Sequence, residues 1–345
     1  MRWLLAHPGP GFSVHDVYAG WREALDGLGE QTFEFNLDDR LAFYDSAYLI
    51  YDETQGVFRK ACTPEQAIEL AMNGLAAALF KLRPQVLLVV SGFFSDTDVF
   101  DQARASGTRV VLLCTESPYE DDRQLLLAEH VDLCLLNDPT NIDRFRQITR
   151  AEYIPHAYRP TLHHPDSTPS DLDLVFVGTG YPSRIEFFEA MDLDGLAVQL
   201  GGNWMRLADT DSPLRKHLGH DLDDCLDNED TAELYRRGRV GLNLYRREAA
   251  HPELEGGWAM GPREVEMAAC ELFFLRDPRG EGDDLLPMLP TFQGPQDAAE
   301  KLRWWLAHPT ERGMVARAAR ARVTGRTFTA NATRLLELLG KERGR

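Results

Sequence analysis

The sequence predicts an α/β protein made of two doubly wound parallel-sheet domains, and three observations carry that prediction. Short uncharged strands alternate with helical segments, the order expected of parallel sheets with helices on their faces. The alternation stops at Pro155–Pro169 (PHAYRPTLHHPDSTP), a Pro- and His-rich stretch with no apolar period, and then restarts. The length, 345 residues, exceeds what one hydrophobic core usually organises.

In the first half, strands are expected at Trp3–Ala6, Thr32–Phe35, Val86–Val90, Val110–Cys114 and Leu133–Leu136. Between them lie helices over Val14–Leu28, with Ser13 as cap and Gly29 just past the end, and over Pro64–Leu82, with Thr63 as cap and Pro64 in the first position. Further helices are expected at Asp98–Ala105, Asp122–Glu129 and Thr140–Gln147. Strands resume at Leu174–Val177, Ala197–Leu200, Val240–Leu244 and Leu272–Leu275. A final helical block covers Asp297–His308, Glu311–Arg322 and Ala330–Leu339.

Hydrophobic content of 43% and charged content of 27% are ordinary for a globular chain. The net charge of −18 opposes a broad nucleic-acid surface, which needs clustered Lys and Arg, but leaves room for a local basic pocket. The five cysteines form no CxxC pair; Cys114, Cys134 and Cys270 lie in apolar runs and read as core filling by reduced thiols. The opening run MRWLLAHPGPGF is too short for a signal peptide, and no stretch approaches the ~18 apolar residues of a membrane span, so a cytoplasmic protein is expected.

The most informative segment is Asp173–Arg184, DLVFVGTGYPSR, a buried-type strand entering a Gly-Thr-Gly turn before a helix. Gly178 and Gly180 remove side chains where N–H groups could approach a ligand, Ser183 with Glu186 reads as a capping box, and Arg184 adds charge to the helix dipole. The turn is either a phosphate cradle or a structural tight turn. It departs from a dinucleotide fingerprint, because Ser183 replaces the third glycine and the following strand ends in Gly-Gly-Asn without an acidic ribose ligand. In GPREVEMAAC (Gly261–Cys270), Arg263 and Glu266 share a helix face, either as a surface ion pair or with Glu266 turned to a ribose diol.

With these residues in hand, the chain resembles the CgeB-like glycosyltransferases. The resemblance rests on FVGTGYPSR (Phe176–Arg184), IPHAYRPTLHHP (Ile154–Pro165), the RxxEMAAC segment Arg263–Cys270, TESPYEDD (Thr115–Asp122) and LLNDPTN (Leu135–Asn141). It implies a GT-B fold, two Rossmann-like parallel-sheet domains facing each other across a cleft. Residues 1–160 would form the acceptor domain and 161–325 the donor domain, with 326–345 a C-terminal helix packing back on the first. It also implies metal-independent, retaining transfer from a nucleoside-diphosphate sugar to an acceptor hydroxyl, without a further cofactor. Gly178, Thr179, Gly180 and Arg184 match the diphosphate loop, and Glu266 the glutamate on the donor ribose. Two departures stand out: Glu271 occupies the usual glycine position after the RxxExxAC segment, and Trp258 stands near where many retaining enzymes carry an earlier glutamate.

The remaining candidates are set by strand ends. Glu116, after strand Val110–Cys114, is the acid/base candidate with Asp121 and Asp122 behind it, or else part of a solvated acidic loop. His15, in HPGPGFSVHD, is a site residue or a structural helix-end histidine. Arg246 and Arg247, in LNLYRRE, would neutralise the departing diphosphate or face solvent. Asn203 and Trp204 would contact the base, or Trp204 would pack. His163 and His164 lack a supporting carboxylate pattern, and no metal site is read. The acceptor stays open between glycan, small molecule, protein and modified DNA base; an epimerase on the same fold and a non-catalytic ligand clamp are the rival classes.

Overall fold

The computed structural model describes residues 1–9, 14–47, 49–248 and 256–340. The chain divides into two compact units, Met1–Ile154 and Pro155–Arg345. The expected cap Ser13 lies outside the described residues.

In the first unit the order is β1 (Arg2–His7), α1 (His15–Gly27), β2 (Gln31–Asn36), α2 (Leu37–Ala47), β3 (Leu49–Asp52), β4 (Val57–Lys60), α3 (Pro64–Leu82), β5 (Val86–Val90), α4 (Thr97–Ala105), β6 (Arg109–Cys114), α5 (Asp121–Ala128), β7 (Leu133–Leu136), α6 (Ile142–Arg146) and β8 (Ala151–Tyr153). Six strands form a parallel sheet in the order β2-β1-β5-β6-β7-β8. β5 and β7 are buried at every position, the burial that an uncharged Val/Leu run demands when helices cover both faces. Cys114 and Cys134 are buried in this core. α3 begins with the expected Thr63 cap: Thr63 Oγ1 accepts from Gln66 N at 3.3 Å, while Gln66 Oε1 accepts from Thr63 N at 3.0 Å. The sequence reading missed α2 and the antiparallel hairpin β3–β4.

The second unit holds β9 (Leu172–Val177), α7 (Pro182–Ala190), β10 (Val198–Gly201), α8 (Asn228–Arg237), β11 (Gly238–Asn243), α9 (Pro262–Ala269), β12 (Phe274–Arg276), α10 (Gly280–Leu285), α11 (Pro295–Ala307), α12 (Pro309–Val323) and α13 (Phe328–Gly340). Its four-stranded parallel sheet runs β10-β9-β11-β12. α13 is tied to the start of this same unit, where Asn331 Nδ2 donates to Pro155 O at 2.8 Å and Thr327 pairs with Tyr158. α9 ends in a Schellman turn, with Leu272 N–H on Met267 O and Glu271 N–H on Ala268 O, both at 3.0 Å. Glu271 therefore sits in the left-handed region, φ 60°, at the position where a glycine is the usual solution.

Candidate donor site in the second unit

Strands of an open parallel sheet end in loops at their carboxyl edge, and ligands of such sheets bind there. In the second unit that edge carries a cavity of about 440 Å³. Ser183 and Arg184 reach it from the start of α7, Leu244, Tyr245 and Arg247 from the end of β11, and Asp277 from the end of β12. Phe187 and Phe292 add apolar wall.

The Gly-Thr-Gly turn after β9 is built differently from the expectation. The N–H of Gly178 donates to Gly201 O at 2.9 Å and that of Gly180 to Asn203 O at 2.8 Å, so both are spent on the neighbouring strand end. The missing side chains serve packing. A Cβ on Gly180 would lie 2.5 Å from Trp204 Cε3, and one on Gly178 2.9 Å from Arg184 Nη1. Gly202, at φ +102°, completes the close approach, since a Cβ there would lie 2.8 Å from Gly178 O. Trp204 is fully buried against Phe176 and Phe188, so it packs. Asn203 closes its own loop, donating through Nδ2 to Asp223 O at 3.0 Å and accepting from Met205 N at 3.2 Å.

Arg184 folds back over this turn. Its Nη1 donates to Thr179 O at 2.9 Å and its Nη2 to Leu244 O at 2.6 Å, with the guanidinium 5.4 Å and 5.2 Å from the Phe176 and Tyr181 ring centres. The residue thus pins the β9 turn to the end of β11 while bordering the cavity. The Ser183–Glu186 capping box does not form. α7 starts two residues earlier, at Pro182, with Tyr181 as cap, so the Ser183 hydroxyl is no longer at the capping position. Its N–H instead donates to Glu248 Oε1 at 2.9 Å. Burial works to raise the Glu248 carboxyl, but hydrogen bonds from Ser183 and Arg247 hold it below the usual range. Of the two arginines after β11, Arg247 borders the cavity and pairs with buried Asp277 at 2.7 Å. Arg246 donates through Nε to Glu248 O at 2.6 Å and lies 5.2 Å from the Tyr181 ring centre.

α9 carries two buried glutamates, of which the sequence reading named one. Glu266 is 4% exposed and accepts from Arg263 Nη1 at 2.8 Å. Burial opposes its ionisation, yet Arg263, then His163, bring it below the ordinary carboxylate value. His163 is buried too, accepts from Arg159 N at 3.2 Å, and is pushed toward neutrality by burial. Glu264, missed by the sequence reading, is fully buried at the third helical position. It accepts from Gly261 N at 2.9 Å and from the hydroxyl of Tyr245, while Arg279 lies 4.0 Å over the Tyr245 ring. Burial raises its carboxyl to about 7 despite those hydrogen bonds and the nearby Arg276 and Arg279. Glu264 thereby fixes a cavity wall through Tyr245. Trp258 packs over Gly280, where a Cβ would meet it at 2.3 Å.

In the first unit, Glu116 and His15 fall at the carboxyl edge of that unit's own sheet. Glu116 follows β6, is half-buried, and accepts through its main-chain oxygen from Glu120 N at 3.1 Å. Asp121 behind it is buried and raised by burial, accepting from Ser117 Oγ at 2.5 Å and Asn141 Nδ2 at 2.8 Å; Asp122 pairs with Arg144 at 2.6 Å. His15 opens α1, 5.8 Å from both the His7 and Tyr18 ring centres. His7, at the end of β1, is the more engaged histidine: buried, stacked 3.9 Å from Tyr18, and 2.8 Å from Glu34 Oε1. Among the described residues, no group of three or more His, Cys, Asp and Glu is placed to hold a metal ion, and no helix is long and apolar enough to cross a membrane.

Residues 184–339 match a family described as glycosyl transferase-like. Solved structures extend the likeness to the whole chain. Sucrose-phosphate synthase from Thermosynechococcus elongatus is 15% identical, with a TM-score of 0.68, covering 99% of this chain and 98% of that one. An E. coli trehalose-6-phosphate structure bound with UDP-2-fluoro glucose is 12% identical, with a TM-score of 0.63 and coverage of 98% and 99%. A Listeria monocytogenes protein assigned as a UDP-N-acetylglucosamine 2-epimerase is 13% identical, with a TM-score of 0.62 and coverage of 99% and 96%. No curated protein matches the sequence. The fold is thus that of the GT-B enzymes, and within it residues 184–339 are similar to the glycosyl transferase-like family.

Proposed function

We propose that the protein transfers a glycosyl group from a nucleoside-diphosphate sugar to an acceptor hydroxyl, with the donor in the second unit. The observation that carries this reading is the carboxyl-edge cavity bordered by Arg184 and Arg247, lying within the segment matched to glycosyl transferases. Transfer needs negative charge stabilised on the leaving diphosphate, and arginine does this bidentately without a metal. Arg184, Arg247 and, from just outside the cavity, Arg246 supply that charge. The Thr179 carbonyl holds Arg184 in place, Gly178 leaves room for its guanidinium, Gly180 leaves room for Trp204, and Asn203 shapes the adjoining loop. Glu266, kept ionised by Arg263, is the acceptor-only group suited to the donor ribose. Glu116 and His15 are the candidates for handling the acceptor. Retention is supported by likeness to a trehalose-6-phosphate synthase studied for "glycosyltransfer with retention", which is 11% identical with a TM-score of 0.62.

The 2-epimerase neighbour supplies the one rival with a specific observation behind it. Both are tested together by incubating the protein with UDP-, GDP-, ADP- and dTDP-sugars in EDTA, with candidate acceptors. The proposal expects nucleoside diphosphate release that is accelerated by one acceptor and conserves the anomeric configuration. Conversion of a donor to its 2-epimer in place of acceptor-dependent transfer would assign the fold to the rival reaction.

A further inference from the structure

The amino end of α7 already holds an anion supplied by the chain itself, and we infer that Glu248 competes with the donor's phosphate for that position. The inference rests on the donor-site reading above. Glu248 Oε1 accepts from Ser183 N at 2.9 Å and Oε2 from Arg247 N at 3.2 Å, so both carboxylate oxygens are engaged. Arg246 clamps the same residue through its main-chain oxygen at 2.6 Å. Ser183 and Glu248 are 65 residues apart, so this is a tertiary contact. The N–H it occupies belongs to a residue that borders the cavity, beside Arg184 and Arg247.

A phosphate oxygen asks for the same partners as this carboxylate: a helix-terminal N–H and arginine. Two anions cannot share one N–H, and their repulsion in a partly buried site is strong. A phosphate entering at Ser183 therefore displaces Glu248, and the protein's affinity for it is reduced by the fraction of molecules in which Glu248 holds the position.

The test is the dissociation constant of inorganic pyrophosphate, and of UDP, GDP, ADP and dTDP, for the wild type, Glu248→Ala, Glu248→Gln and Glu186→Gln. Glu248→Gln keeps an acceptor for the Ser183 N–H while removing the charge, so it guards against loss of the helix start. Glu186 is exposed on the same helix and controls for the removal of one negative charge. Three- to tenfold tighter pyrophosphate binding by both Glu248 variants, with Glu186→Gln within about twofold of wild type, is the expected result. Unchanged or weaker binding in Glu248→Gln, or equal tightening in Glu186→Gln, overturns the inference. Tightening for pyrophosphate, with no nucleoside diphosphate bound by any form, upholds the competition and refutes the donor reading instead.

Discussion

Replacing Gly180 by alanine puts a methyl group where the indole of Trp204 already lies. The new Cβ would stand 2.5, 2.7 and 3.2 Å from three ring carbons, against the ~3.5–4.0 Å at which carbon atoms rest. Trp204 has nowhere to retreat: it is 0% exposed and packs edge-on against Phe176 and Phe188, both buried. Overpacking of this kind costs about 1–3 kcal/mol. For a unit of this size each kcal/mol moves the melting temperature by about 2–4 °C, so a fall of about 4–8 °C is expected for a 2 kcal/mol cost. Urea unfolding and calorimetry of Gly180→Ala measure it directly. At Gly178 the nearest atom is the far end of Arg184, which can move, so Gly178→Ala should lose less stability and more ligand affinity. A neutral Gly180→Ala with impaired nucleotide binding would refute this reasoning and restore the glycine as a ligand approach.

Other outcomes follow from the same geometry. Arg184→Ala removes a cavity arginine and should lower kcat/KM by about 10²–10³, measured with saturating acceptor; an unchanged value would remove Arg184 from the site. Glu264 has a folded-state carboxyl raised to about 7, so the native state holds an extra proton between about pH 4.5 and 7. Stability from this group is therefore full below that window and falls as pH rises through it, by up to about 3 kcal/mol. Denaturant midpoints from pH 4.5 to 8 should slope downward for the wild type and flatten in Glu264→Gln; parallel profiles would contradict the assignment. Glu271→Gly relieves a left-handed backbone and loses only a half-exposed bridge to Arg320, so it should gain about 0.5–1 kcal/mol in urea unfolding. A loss would show that the bridge outweighs the strain.

Much of the fold is legible because burial writes it into local pattern. β5, VLLVV, and β7, LCLL, are apolar throughout since helices cover both faces, and Thr63-Pro64 marks its helix by capping chemistry alone. The β3–β4 hairpin escapes for the opposite reason: Leu49, Ile50, Tyr51 and Phe58 are more than half exposed, so no buried face imposes a period, and α2 buries Leu37 while leaving Phe43 exposed, a weak apolar period. At the site, the Gly-Thr-Gly turn is visible, but what its N–H groups do is settled by β10, which local sequence does not specify. Glu248 acts across 65 residues and leaves no local signal. Glu264 does leave one, a glutamate at the third position of a helix opened by Gly261-Pro262, the capping-box spacing read from its far end.

The most direct test of the central claim is whether the second unit's cavity binds a nucleoside diphosphate through Arg184. Thermal unfolding with UDP, GDP, ADP, dTDP and their sugar conjugates reads this in one experiment. At ~100 times its dissociation constant a ligand adds ~2.7 kcal/mol, a shift that is easily seen. The account predicts that one nucleotide stabilises the wild type and that Arg184→Ala loses the response. Stabilisation by none of them, or an equal response in Arg184→Ala, would contradict it.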